Sequence, residues 1–84
     1  VEERLTRAKV NEASILIGKH LEELDLAARM GVDMIAIRRD KDWMIDPKET
    51  ERIKSGDILM ARGTPSGIRE FRELAEGKRR RLEG

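Results

Sequence analysis

Two adjacent arginines, Arg38 and Arg39, close the apolar run Met34-Ile35-Ala36-Ile37 and lead straight into Asp40-Lys41-Asp42. Guanidinium groups match phosphodiesters in charge and in the fork of their donors. At a strand end beside a turn, two of them could grip one phosphate. If two subunits paired through this edge, four arginines would converge on a single dianionic ligand. The same residues also read as a solvated strand end neutralised by Asp40 and Asp42. Ile35, Ile37 and Ile45 are expected in the core or an interface, and under a bound base they would form its apolar floor. Trp43 is a packing residue of the hairpin and, with Ile35 and Ile37, a candidate for burial between subunits.

The remaining polar residues offer no reaction. Asp40, Asp42 and Asp46 are spaced for a calcium loop, but the turn lacks the usual glycine and Lys41 sits between two of the carboxylates. Gly18-Lys19 resembles the end of a phosphate loop without its upstream glycine or its following Ser/Thr. His20 has no acid or nucleophile at a useful spacing and reads as a surface or interface residue. Ser14, Ser55 and Ser66 have capping or turn roles, and no Gly-x-Ser-x-Gly occurs. No catalytic, metal or cofactor site is expected.

Composition narrows the class further. Eighty-four residues make one domain, too small to be very stable without help. With no cysteine and one histidine, disulfides and an ordinary zinc site are poor supports, which leaves pairing with a second copy. Charged residues are 42% of the chain, yet the net charge is +1, so the surface is mixed rather than strongly basic. Two aromatic residues cannot build a stacking platform for single strands. Nucleic acid is therefore not expected as a partner, nor is membrane insertion, and the cytoplasm is the default compartment.

The elements that must position these residues follow from periodicity. Leu5 to Val10 alternates as a half-buried strand. From His20 the pattern is helical, with Leu21, Leu24 and Ala28 on one face, Ala27 and Met30 flanking, and Gly31 as the stop. Met34 to Arg39 predicts a strand with Ile35 and Ile37 on one face. Trp43 to Ile45 returns as a hairpin, and Pro47 ends it. Lys48 to Lys54 is a polar connection anchored by Ile53. Ser55-Gly56-Asp57 turns into a strand over Asp57 to Arg62. Thr64 then caps, and Pro65 opens, a helix with the stripe Ile68, Phe71, Leu74, Ala75, stopped by Gly77. The expected fold is α+β: a mostly antiparallel sheet of about four strands with two packed helices, in the order strand-helix-strand-strand-strand-helix. With no chemistry in it, the stretch 1–77 reads as one binding or regulatory domain, and 78–84, with Lys78-Arg79-Arg80-Arg81, as a basic tail.

The pattern Ser14-x-Leu16-x-Gly18-Lys19-x-Leu21-x-x-Leu24-x-Leu26, with Gly31, Ile35-Ala36-Ile37-Arg38-Arg39, Pro47 and Gly56-Asp57-Ile58-Leu59, resembles the TrkA-C domain over roughly residues 5–75. This is the C-terminal lobe of regulators of potassium conductance. The resemblance implies a non-enzymatic, dimerising, ligand-sensing domain coupled to cation channels or transporters, some members binding cyclic di-AMP across the dimer interface. It also implies attachment to a nucleotide-binding or helical domain, or to a transporter. No Gly-x-Gly-x-x-Gly is present, so neither NAD nor ATP is expected here. A purely structural dimerisation module is the alternative. Contact with nucleic acid through the basic tail ranks third.

Overall fold

In the computed structural model, which describes residues 2–83, the alternating N-terminal stretch forms strand β1 (Arg4–Lys9). Two short helices, α1 (Leu21–Leu24) and α2 (Leu26–Met30), precede β2 (Val32–Arg39) and β3 (Asp42–Ile45). After the long connection come β4 (Ile58–Gly63) and α3 (Pro65–Ala75). The four strands make one antiparallel sheet in the order β1-β4-β2-β3. This is the expected α+β arrangement with one helix divided in two. Val1 and Gly84, the outer ends of the two sequence ranges assigned above, lie outside the described residues.

The helices cover one face of the sheet. Ala8, Val32, Ile37, Leu59 and Ala61 point toward them and join Leu16, Leu24, Ile53, Ile68, Phe71 and Leu74 in one core. Register then fixes what lies on the opposite face. Arg7, Met60, Ala36 and Ile45 line up across the strands, and so do Lys9, Ile58, Arg38 and Trp43. No helix covers these rows. Leu5, Trp43 and Ile45 are the exposed large apolar residues, and Arg7 stands over the Trp43 ring at 5.6 Å.

Two local irregularities depart from simple periodicity. Asp25 adopts a left-handed conformation, φ 45°, and breaks the first helix. The break turns Leu26 into the core, while Ala28, expected on the buried face, is exposed. The larger side chain gains the burial. In β2 the register shifts between Met34 and Ala36, so Ile35 is the extra residue of a bulge. Alternation restarts beyond it, and Ile35 and Ile37 do not share a face. Ile37 is fully buried under the helices, 0% exposed.

The connection from Asp46 to Asp57 is ordered by main-chain bonds rather than by periodic structure. Gly18 N–H donates to Ile53 O (2.8 Å), Ile53 N–H to Lys19 O (3.0 Å), and Leu21 N–H to Glu51 O (3.1 Å). This lays residues 49–53 along the start of α1. There His20 caps through Nδ1, accepting from Glu23 N–H, while the Glu23 carboxylate accepts from His20 N–H. At its far end the chain from Lys78 folds back along α3. Arg79 donates to the Glu73 carboxylate, and Leu82 packs against the core.

Candidate functional site

Arg38 and Arg39 are neighbours on a strand, so their side chains leave the sheet on opposite faces. Arg39 goes inward and is consumed there. Its Nε and one terminal nitrogen donate to the two oxygens of Asp57, each at 2.9 Å, and its other terminal nitrogen donates to Glu51 Oε2 at 2.9 Å. Arg52 O accepts a fourth bond. Asp57, with a side chain 2% exposed, also accepts from Lys54 N–H. The hydrogen bond to Asp57 is the main reason that the Arg39 guanidinium holds its proton more tightly than usual, with Glu51 adding to it against the cost of burial. Arg39 is therefore an internal clamp between β2 and the 46–57 connection. It is not free to hold a ligand, which corrects the expectation of a paired arginine grip.

Arg38 goes to the uncovered face. Its Nε is buried and has no hydrogen-bond partner among the described residues. A buried donor left unpaired costs on the order of 1–3 kcal/mol. Beside it opens a groove of about 590 Å³, lined by Lys9, Arg38, Asp40, Lys54, Ser55, Gly56 and Ile58, with Arg39 and Asp57 at its base.

A second groove, of about 550 Å³, lies at the other end of the hairpin. Leu21, Leu26, Val32, Met34 and Ile35 supply its apolar lining, and Ile45 and Pro47 close one side. Its charged groups are Asp25, Asp33, Asp46 and Glu49 against Arg62. Arg62 approaches Glu3 at 3.8 Å and Asp33 at 4.0 Å, both exposed pairs of little strength. The bulge places Ile35 here: Ile35 O accepts from Asp46 N–H at 2.9 Å, which ties the hairpin exit to β2.

The five expected ligand residues are thus divided. Ile35 and Ile45 meet in the apolar groove, Arg38 lies three residues further along β2 (about 10 Å) in the basic one, Arg39 is neutralised internally, and Ile37 is core. Ile37 has no exposed surface for a ligand or for a partner subunit, so its two expected roles are withdrawn. Trp43 is at the edge strand, partly exposed. Arg62, Asp33, Lys9 and Lys54 were missed because they reach these grooves only through strand register and the long connection. The opposite facing of Arg38 and Arg39, by contrast, is implied by the strand period itself.

The comparisons with known proteins fit this architecture. Residues 5–76 match the model of the TrkA-C domain. The chain belongs to the TrkA-C domain family. The Ktr system potassium uptake protein C of Bacillus subtilis is 38% identical over 58 residues, which cover 69% of this TrkA-C domain and 26% of that relative. The C domain of the potassium transport protein KtrA, solved in complex with cyclic diadenosine monophosphate, superposes with a TM-score of 0.76 at 29% identity, covering 86% of this chain and 82% of that one. The corresponding domain dimer of S. agalactiae BusR, also with that dinucleotide, gives 0.78 at 20% identity, covering 88% and 91%. At that identity the likeness is one of fold. A longer BusR chain matches as well, in complex with its promoter DNA (TM-score 0.77, 22% identity, 93% of this chain and 38% of that one). BusR, a protein that carries this fold, thus meets nucleic acid, and the expectation that excluded it as a partner is corrected. Mixed surface charge on one domain does not constrain the larger protein that carries it. Among the described residues, no helix is long and apolar enough to cross a membrane.

Proposed function

We propose that this domain is a non-enzymatic, cytoplasmic ligand sensor that pairs with a second copy and regulates a potassium or related cation transport system. Its ligand is of the cyclic dinucleotide class and is held at the apolar groove, at the seam between two copies. The observation that carries this reading is the groove's make-up. An apolar lining that includes Ile35 and the hairpin side chain Ile45, 70% exposed, is half a site awaiting a cover. Its polar groups suit bases better than phosphate chains. Carboxylates such as Asp33 and Asp46 accept hydrogen bonds from exocyclic amino groups, and Arg62 can exchange its weak pairs for one diester oxygen. Four carboxylates against one guanidinium would repel a triphosphate. Two diester charges spread over a large cyclic ligand are tolerable. The KtrA C domain, solved with cyclic diadenosine monophosphate, supports the same class.

Binding at a two-fold seam would stabilise one relative orientation of the two copies, a population shift passed to whatever is attached. Calorimetric titration of the domain with cyclic di-AMP and with ATP tests the assignment. Saturable binding of the cyclic ligand alone, abolished by Ile35→Asp with the fold intact, is expected. Equal binding of ATP, or no effect of the substitution, would refute it. A structural dimerisation module without ligand is the second reading, favoured by the exposure of Trp43 and Ile45 on one edge strand. It predicts pairing that is indifferent to both nucleotides.

A further inference from the structure

The basic groove is not used by this reading, and its chemistry is different. Lys9 comes from the end of β1, Arg38 from β2, and Lys54 from the connection, and β1 and β2 flank β4 there: Lys9 and Arg38 both register with Ile58. None of the three forms an ion pair among the described residues, whereas Arg39 at the base of the groove is cancelled by Asp57 and Glu51. The one carboxylate left without such a partner at the rim is Asp40. Three cations so placed repel one another, and of the two carboxylates that line the groove with them, Asp57 is already paired with Arg39 and only Asp40, at the rim, is left to offset them. The Arg38 Nε–H is buried beside them and unpaired among the described residues. Buried donors in folded proteins are satisfied by protein, water or a bound group, and a lone one asks for an explanation.

We infer that this groove binds a phosphate group, free or as the monoester of a small molecule, through Arg38, Lys9 and Lys54, with the Ser55 hydroxyl available as a further donor. A tetrahedral dianion meets each requirement. It accepts from the guanidinium edge that includes Nε, and it neutralises two ammonium groups, one arriving from β1 and one from the connection. The groove is open, so the rest of a phosphorylated molecule could extend into solvent. The site lies within one copy and does not depend on the dinucleotide reading of the apolar groove.

The test is an NMR titration of the ¹⁵N-labelled chain, in which the Arg38 Nε–Hε and the Ser55 and Gly56 amides are the reporters. Inorganic phosphate, glycerol 3-phosphate and sodium chloride are added at matched ionic strength, followed by a short DNA duplex. The expected result is a saturable shift of these signals with phosphate, with chloride inactive. Saturation by glycerol 3-phosphate as well would assign the monoester, and saturation by phosphate alone the free ion. Arg38→Gln and Lys54→Gln should each weaken phosphate binding by about tenfold, the scale of one charge-assisted hydrogen bond, while the core amide signals stay in place. Because Lys54 and Lys9 are surface residues, Lys54→Gln and Lys9→Gln keep the test valid should Arg38→Gln fail to fold. Shifts that follow ionic strength alone, or a response to the duplex without one to phosphate, would overturn the proposal.

Discussion

Replacing Arg39 with methionine removes the clamp that joins the sheet to the 46–57 connection, and the structure sets the size of the effect. The clamp is not a surface pair: the Asp57 side chain is 2% exposed and that of Arg39 is 22% exposed. Four hydrogen bonds from the guanidinium disappear, two of them to a carboxylate that keeps only Lys54 N–H as a donor. Stranding a buried charge in this way costs about 3–5 kcal/mol. A domain of this length is stable by roughly 4–13 kcal/mol in all, so the variant should sit close to its unfolding threshold. Urea unfolding followed by Trp43 fluorescence measures the loss. Arg39→Lys should fall between, because an ammonium cannot span both oxygens of Asp57 and also reach Glu51. Adding Asp57→Leu to Arg39→Met should restore part of the loss, since no buried charge then remains unpaired. A cost below about 1 kcal/mol for Arg39→Met, the range of exposed pairs, would show that Arg39 is no buried clamp.

Other expectations concern single contacts. A methyl group at position 67 would run into the Met30 carbonyl oxygen, which is backbone and cannot swing aside. Gly67→Ala should therefore destabilise by about 1–3 kcal/mol in the same unfolding assay. Glu23 has its carboxyl held below the usual 4.5, first by the hydrogen bond from His20 N–H. Its contribution is complete above the unfolded value and disappears as pH falls through the lower folded one. Thermal melts of Glu23→Gln should thus converge on those of the parent in acid and separate from them toward neutrality. Ile45→Asp, at a side chain 70% exposed, should abolish self-association in sedimentation while the circular dichroism spectrum of the folded monomer is kept.

The legible parts of the sequence were those where local chemistry and burial agree. Thr64, Pro65 and the stripe Ile68, Phe71, Leu74, Ala75 specify α3, and every apolar member of that stripe is buried. Gly31 and Gly56 mark turns that need a positive φ, and both have one. The 40–41 turn lacks glycine, and Asp40 takes up the left-handed conformation itself at φ 59°. What could not be read depends on tertiary choices. A helical period does not reveal that breaking at Asp25 buries Leu26 in place of Ala28. Nor does alternation reveal a bulge at Ile35, and so the one-face pairing of Ile35 with Ile37 failed. The grooves were least legible, because Lys9 and Arg38 are brought together by the pairing of β1 and β2 with β4, and Lys54 joins them from the long connection. The same holds for Ile35 and Arg62, which come from neighbouring strands.

Sedimentation velocity of this chain, with and without cyclic di-AMP, reads pairing and ligand sensing in one experiment. A monomer–dimer equilibrium that the ligand shifts toward dimer is expected, with Ile45→Asp monomeric in both conditions. At a hundredfold excess over its dissociation constant the ligand should stabilise the bound form by about 2.7 kcal/mol, a shift readily seen in the weight-average sedimentation coefficient. A chain that stays monomeric at every concentration, or a dimer whose population the ligand leaves unchanged, would contradict it.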